Sequence, residues 1–187
     1  MKSSPVGLVD YFSDWYKEKR AIAICLHYLN RLAIKAEAKR TEEAKTRGTY
    51  EDTEETKLAG NTKLLVQELQ IAEVKIVKLA QATSFREEIK VLKADSSPRD
   101  HTMQRKSALK LSSPLDKLDP FVDPDGILRV GGRLRQARLP CDVMFPAILP
   151  KESHVTNLVV KHFHKKVRHQ GRDLTLNEIR SNGFWIV

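Results

Sequence analysis

The chain has 187 residues, with 33 Lys+Arg against 24 Asp+Glu and a formal net charge of +9. Hydrophobic residues make up 41% and charged residues 30%, which allows a modest core and argues against full disorder; the length suits one small domain, or one with an appended segment. No run approaches the ~20 apolar residues of a bilayer span, and Met1-Lys2-Ser3-Ser4-Pro5 leads into polar sequence instead of the apolar stretch of a signal peptide, so secretion and membrane insertion are poor readings.

Cys25 and Cys141 form no CxxC motif and are too few for a disulfide scaffold, so the expected setting is intracellular, nuclear or cytoplasmic. The charge is unevenly placed. Residues 1–100 hold 18 Lys/Arg and 16 Asp/Glu, whereas the stretch from Gly126 onward holds 11 against 4. His154, His162, His164 and His169 also lie there. A basic last third suits a polyanionic partner, or simply keeps the chain soluble.

In chain order, residues 12–38 predict a helix, with Trp15, Ile22, Leu26, Leu29 and Ala33 at helical spacing and Ser13 as N-cap. Arg40 to Gly60 is polar and acid-rich and predicts a flexible linker. A second helix is expected over 62–82 on the seam Leu65, Leu69, Ala72, Ile76 and Leu79, with Phe85, Ile89 and Leu92 extending it. Packing of helix 1 on helix 2 as a hairpin is favoured over a coiled-coil partner, because the seam is short. Residues 94–113 predict a second flexible linker, broken at Ser96-Ser97-Pro98 and Ser112-Ser113-Pro114.

Beyond it, Asp123-Pro124-Asp125-Gly126 is a turn signal. The alternation from Ile127 to Leu134 predicts a small hairpin, bulged or turned at Gly131-Gly132. Phe145 to Pro150 is a short extended piece. A third helix is expected from Glu152 to Arg168, with Val155, Leu158, Val159 and Phe163 inward and Gly171 ending it. Thr175-Leu176-Asn177-Glu178 fits a capping box that starts a short fourth helix ending near Gly183. Phe184-Trp185-Ile186-Val187 then reads as an exposed apolar end, as if the chain were cut inside a domain.

The histidines are the one constellation with metal-ligand character. His162 and His169 share a helix face but stand about 10 Å apart along the axis, too far for two zinc–nitrogen bonds of about 2.1 Å. His164 and His169 converge only if the helix ends between them and His169 folds back. Their spacing matches that of paired zinc histidines, but without a CxxC it encodes half a tetrahedral site at most. Membership of a plain basic surface is the competing reading.

Pro120-Phe121-Val122-Asp123 through Asp125-Gly126-Ile127-Leu128-Arg129-Val130-Gly131-Gly132-Arg133-Leu134 resembles the segment that opens the integrase zinc-binding region of BEL/Pao-type LTR retrotransposon polyproteins. Phe145 to Pro150, His164-x4-His169-x-Gly171, Thr175-Leu176, Ile179-Arg180 and Phe184-Trp185-Ile186 agree with it. Upstream, Phe12 to Tyr16 and the segment from Ala72 to Leu92 look like the connector that follows the RNase H domain in these polyproteins.

The resemblance implies a mainly α fold with a small β-hairpin: a helical connector over 1–113, then over 114–187 the first part of an HHCC zinc-binding domain. His164 and His169 match the histidine half of the zinc site, while the cysteine half and the catalytic carboxylates lie beyond Val187 in the family. The expected function is therefore nucleic-acid binding and assembly without catalysis, with DNA as partner and zinc as a cofactor whose site is incomplete. Lys161, Lys165, Lys166, Arg168 and Arg172 are the expected phosphate contacts, and Arg129, Arg133 and Arg135 a second basic strip. A self-associating helical module over 12–92, or a transposon relic without function, are the alternatives.

Overall fold

The structure, a computed structural model, describes residues 11–43, 64–94, 115–131 and 140–187. These are mainly helical, with a small four-stranded sheet. The chain divides into two compact units, Met1–Glu18 with Val74–Val187, and Lys19–Glu73. The division expected at 113/114 falls within the first. Residues 44–60 and 95–113, which carry most of the two expected linkers, lie outside the described residues.

Helix α1 (Trp15–Glu43) begins where the Asp14 carboxylate accepts the N–H groups of Tyr16 (3.0 Å) and Lys17 (3.1 Å). Asp14, not the expected Ser13, is thus the cap. A carboxylate answers orphan amides and the positive helix end together. Helix α2 (Val66–Ser84) opens with the reciprocal device, Glu68 reaching back to accept the Leu65 N–H at 2.8 Å. In the smaller unit the two helices run antiparallel, tied by Lys19–Glu73 (2.8 Å) and His27–Glu68 (2.6 Å). Ala23 and Ala72, positioned between these pairs, are fully buried. The hairpin is intramolecular.

In the larger unit, α2 breaks at Phe85 and resumes as α3 (Arg86–Ala94). Phe85, Ile89 and Leu92 were expected to prolong the interhelical seam. They pack instead with Leu115, Leu128 and Ile148 on the sheet. The break re-aims the apolar stripe.

Strands β1 (Phe121–Val122) and β2 (Leu128–Arg129) form the expected hairpin, with Phe121 opposite Arg129. Its turn is closed by Gly126 N–H to Asp123 O (2.8 Å) and Ile127 N–H to Asp123 Oδ1 (2.8 Å). Clean alternation beyond the turn is not observed: Ile127 and Leu128 are both buried. The paired segment is two residues long, and Ile127 is held by the turn. Gly131 runs so close to the Asp119 carbonyl that a Cβ there would stand 2.2 Å from it, which only glycine avoids.

The sheet grows past the hairpin in order β1-β2-β3-β4. Strand β3 (Ala147–Leu149), the expected extended piece, pairs antiparallel with β2 and parallel with β4 (Phe184–Ile186). The run expected as an exposed apolar end is therefore a strand, with Phe184 buried and in edge contact with the buried Trp15 at 6.3 Å. One-turn helix α4 (Cys141–Met144) precedes β3, and α5 (His154–Lys166) and α6 (Arg172–Ser181) connect β3 to β4. Helix α5 buries Val155, Leu158, Val159 and Phe163, the face its periodicity predicts.

Gln81 of α2 is wholly buried and inserts its amide between strands β2 and β3. Its Nε2 donates to Leu128 O (2.8 Å) and Ile148 O (2.7 Å), while Oε1 accepts the Leu128 N–H at 2.8 Å. One side chain thus satisfies three backbone groups where β2 and β3 share only the pairing of Arg129 with Ala147.

Candidate functional site

The geometry that joins His164 to His169 is made by the end of α5. The helix stops at Lys166, two residues short of the expected Arg168. Arg168 and His169 both take left-handed backbone, φ 52° and 60°, immediately after Val167. Arg168 N–H bonds to Lys165 O and His169 N–H to His164 O, each at 3.0 Å, so two terminal carbonyls find partners. The second bond lays His169 directly over His164. The two rings meet edge to face with centroids 4.5 Å apart.

Gly171, at φ 97°, caps α6 four residues earlier than the expected capping box at Thr175. Thr175 is consequently inside the helix and buried, not a cap. Its hydroxyl donates to Gly171 O at 2.7 Å and contacts His164 Nδ1 at 3.2 Å. His164 is half-buried by this arrangement, and His169 is exposed. His162, the other histidine of α5's last turns, lies beside Phe163 and outside the pair.

The basic residues divide into two kinds. Lys161, Lys165, Arg168 and Arg172 are exposed around the histidine pair, with Lys161 and Lys165 one turn apart on α5. Lys166 instead bridges to Glu178 of α6 at 2.8 Å. That contact, followed by the Asn182 amide, holds the Glu178 carboxyl below its usual range.

Arg129 does not project as a member of a basic strip. Its side chain is 14% exposed; Nε donates to Asp123 (2.6 Å), and one terminal nitrogen to Asp142 (3.1 Å) and Phe145 O (2.8 Å). Burial alone would lower its pKa, but Asp123 and Asp142 more than offset this and raise it, so the guanidinium stays charged inside the fold. Arg133 and Arg135 lie outside the described residues.

A cleft of about 1070 Å³ opens beside the hairpin, floored by Ile89, Leu92, Phe121 and Phe145. Asp123, Asp142 and Arg129 in its wall are already paired with one another.

Two adjoining imidazoles, one anchored at Nδ1, fit half of a tetrahedral zinc set. Among the described residues no third His, Cys, Asp or Glu joins them. The pairing was suggested by the spacing of the histidines. Thr175, the group that contacts one of them, carried no such signal, because its four-residue match to a capping box pointed elsewhere. No known protein family, curated protein or solved structure matches this chain.

Proposed function

We propose that residues 114–187 act as an integrase-type nucleic-acid-binding and assembly module without a catalytic core, in which His164 and His169 are the histidine half of a zinc site. The observation that carries the reading is the convergence of the two rings, 4.5 Å between centroids, in a segment that also carries exposed Lys161, Lys165, Arg168 and Arg172. Zinc held there closes a fold; it supplies no reaction chemistry. The remaining ligands come in trans from a partner. The exposed cations contact phosphate without reading bases, within a nuclear or cytoplasmic setting.

Competition against a chromophoric chelator tests the metal directly. Wild-type protein is expected to take up zinc weakly, as a half-site does, and His164→Ala to lose that uptake. Equal uptake by both proteins removes the metal reading, and absence of both zinc and DNA binding leaves a relic.

Exposed Leu29, Leu32 and Ile34 on α1, Leu65 just before α2, and Val66 and Ile71 on α2 favour a second reading, self-association through the smaller unit. It requires a concentration-dependent dimer in sedimentation that Leu29→Asp with Leu32→Asp abolishes; a monomer at every concentration excludes it.

A further inference from the structure

We infer that Thr175 is a positioning residue that holds His164 in its Nδ1–H tautomer, so that Nε2 is the nitrogen presented to a divalent metal such as zinc. The assignment of Nε2 as a ligand rests on the proposed zinc reading; the tautomer does not. A threonine hydroxyl carries one hydrogen. Thr175 Oγ1 stands 2.7 Å from Gly171 O, the distance of a good O–H···O bond. Without a hydrogen between them, two oxygen lone pairs would meet at that separation, so the hydroxyl hydrogen is committed to Gly171. At the 3.2 Å contact with His164 Nδ1 the oxygen has only a lone pair to offer. The imidazole must therefore donate, and its neutral form carries the proton on Nδ1. The lone pair is left on Nε2.

The backbone enforces this inventory. Thr175 is buried, and its own N–H also bonds to Gly171 O at 3.2 Å, so hydroxyl and amide converge on one carbonyl. The last turn of α5 keeps His164 half-buried against it, while the left-handed pair brings the His169 ring to within 4.5 Å of the His164 ring, centroid to centroid. A metal-binding histidine anchored through its second nitrogen is oriented before the metal arrives, and loss of such an anchor commonly weakens metal binding by about 10–100-fold.

Nitrogen-15 NMR of the full-length metal-free protein at about pH 8, above the ~6.5 of a histidine side chain in model peptides, distinguishes the tautomers by the separate shifts of Nδ1 and Nε2. Wild-type His164 is expected to be Nδ1-protonated. Thr175→Val, nearly the same shape without the oxygen, is expected to give mixed tautomers, and Thr175→Ser to restore the wild-type pattern. An Nε2-protonated His164 in the wild type, or an unchanged tautomer in a folded Thr175→Val protein, overturns the inference. Zinc added to the same samples should move the Nε2 resonance of His164 and bind at least about tenfold more weakly to Thr175→Val. If zinc leaves both nitrogens unmoved while the tautomer is as expected, the assignment of Nε2 as a ligand falls and the failure lies with the zinc reading.

Discussion

Gln81 and Arg168 show how far single side chains govern this fold. The Gln81 amide is matched to three backbone groups at 2.7–2.8 Å in a fully buried setting. Replacing it with leucine keeps the volume but leaves one N–H and two carbonyls without their partner. Each such buried group costs about 1–3 kcal/mol, so Gln81→Leu is expected to lower unfolding stability by about 3 kcal/mol or more in urea titration. A loss under about 1 kcal/mol would mean that β2 and β3 hold together without the amide. Arg168 works in the other direction. Its left-handed φ of 52° is unfavourable for a residue with a Cβ by about 1–2 kcal/mol. Arg168→Gly is therefore expected to raise stability by about 1 kcal/mol in thermal unfolding while keeping the His164–His169 approach. If stability falls, the side chain contributes more than the strain removes.

At the scale of elements, the α1–α2 hairpin carries a pH dependence that can be read from one carboxylate. Glu68 has a pKa below the usual 4.5 because the His27 ring bonds to it and the Leu65 N–H donates to it. The unfolded chain therefore takes up this proton first as pH falls. The contribution of Glu68 is fully present above pH 4.5 and is lost as pH drops through the lower folded value. Melting curves monitored by circular dichroism across that window are expected to show a decline in stability, and Glu68→Gln should flatten it. An unchanged slope in Glu68→Gln would assign the acid sensitivity to other carboxylates. Helices α5 and α6 rest on a different logic: a helix end made by Arg168 and His169 and a start made at Gly171 set their junction, and Glu178–Lys166 straps them at 2.8 Å.

For the molecule as a whole, the positive excess after Gly126 is not evenly available. Arg129 is held by Asp123 and Asp142; Lys166 is exposed but bridged to Glu178, and Lys161, Lys165, Arg168 and Arg172 are exposed. On the proposed reading, duplex DNA affinity falls with salt at a logarithmic slope of about −0.9 per phosphate contacted. Lys165→Ala is expected to shallow that slope by about 1, whereas Arg129→Gln should act mainly on stability. Fluorescence anisotropy over a salt series measures the first and thermal unfolding the second. Equal slopes in wild type and Lys165→Ala would remove Lys165 from the interface.

Much of this architecture is legible in the chain because it depends on local rules. The helical periodicity around Trp15, Ile76 and Val159, the Asp123–Gly126 turn and the inward face of α5 all follow from spacing and turn chemistry. The histidine spacing likewise marked a pair able to meet. What required the tertiary structure was every partner drawn from afar: Gln81 with Leu128 and Ile148, Arg129 with Asp142, and Phe184–Ile186 with β3. The same holds for Thr175, whose local motif predicts a helix cap but which contacts His164, 11 residues away, once Gly171 starts α6 early. Periodicity and turn residues act within a few positions along the chain. Hydrogen-bond partners and burial depend on which elements meet, and that choice is made by the fold.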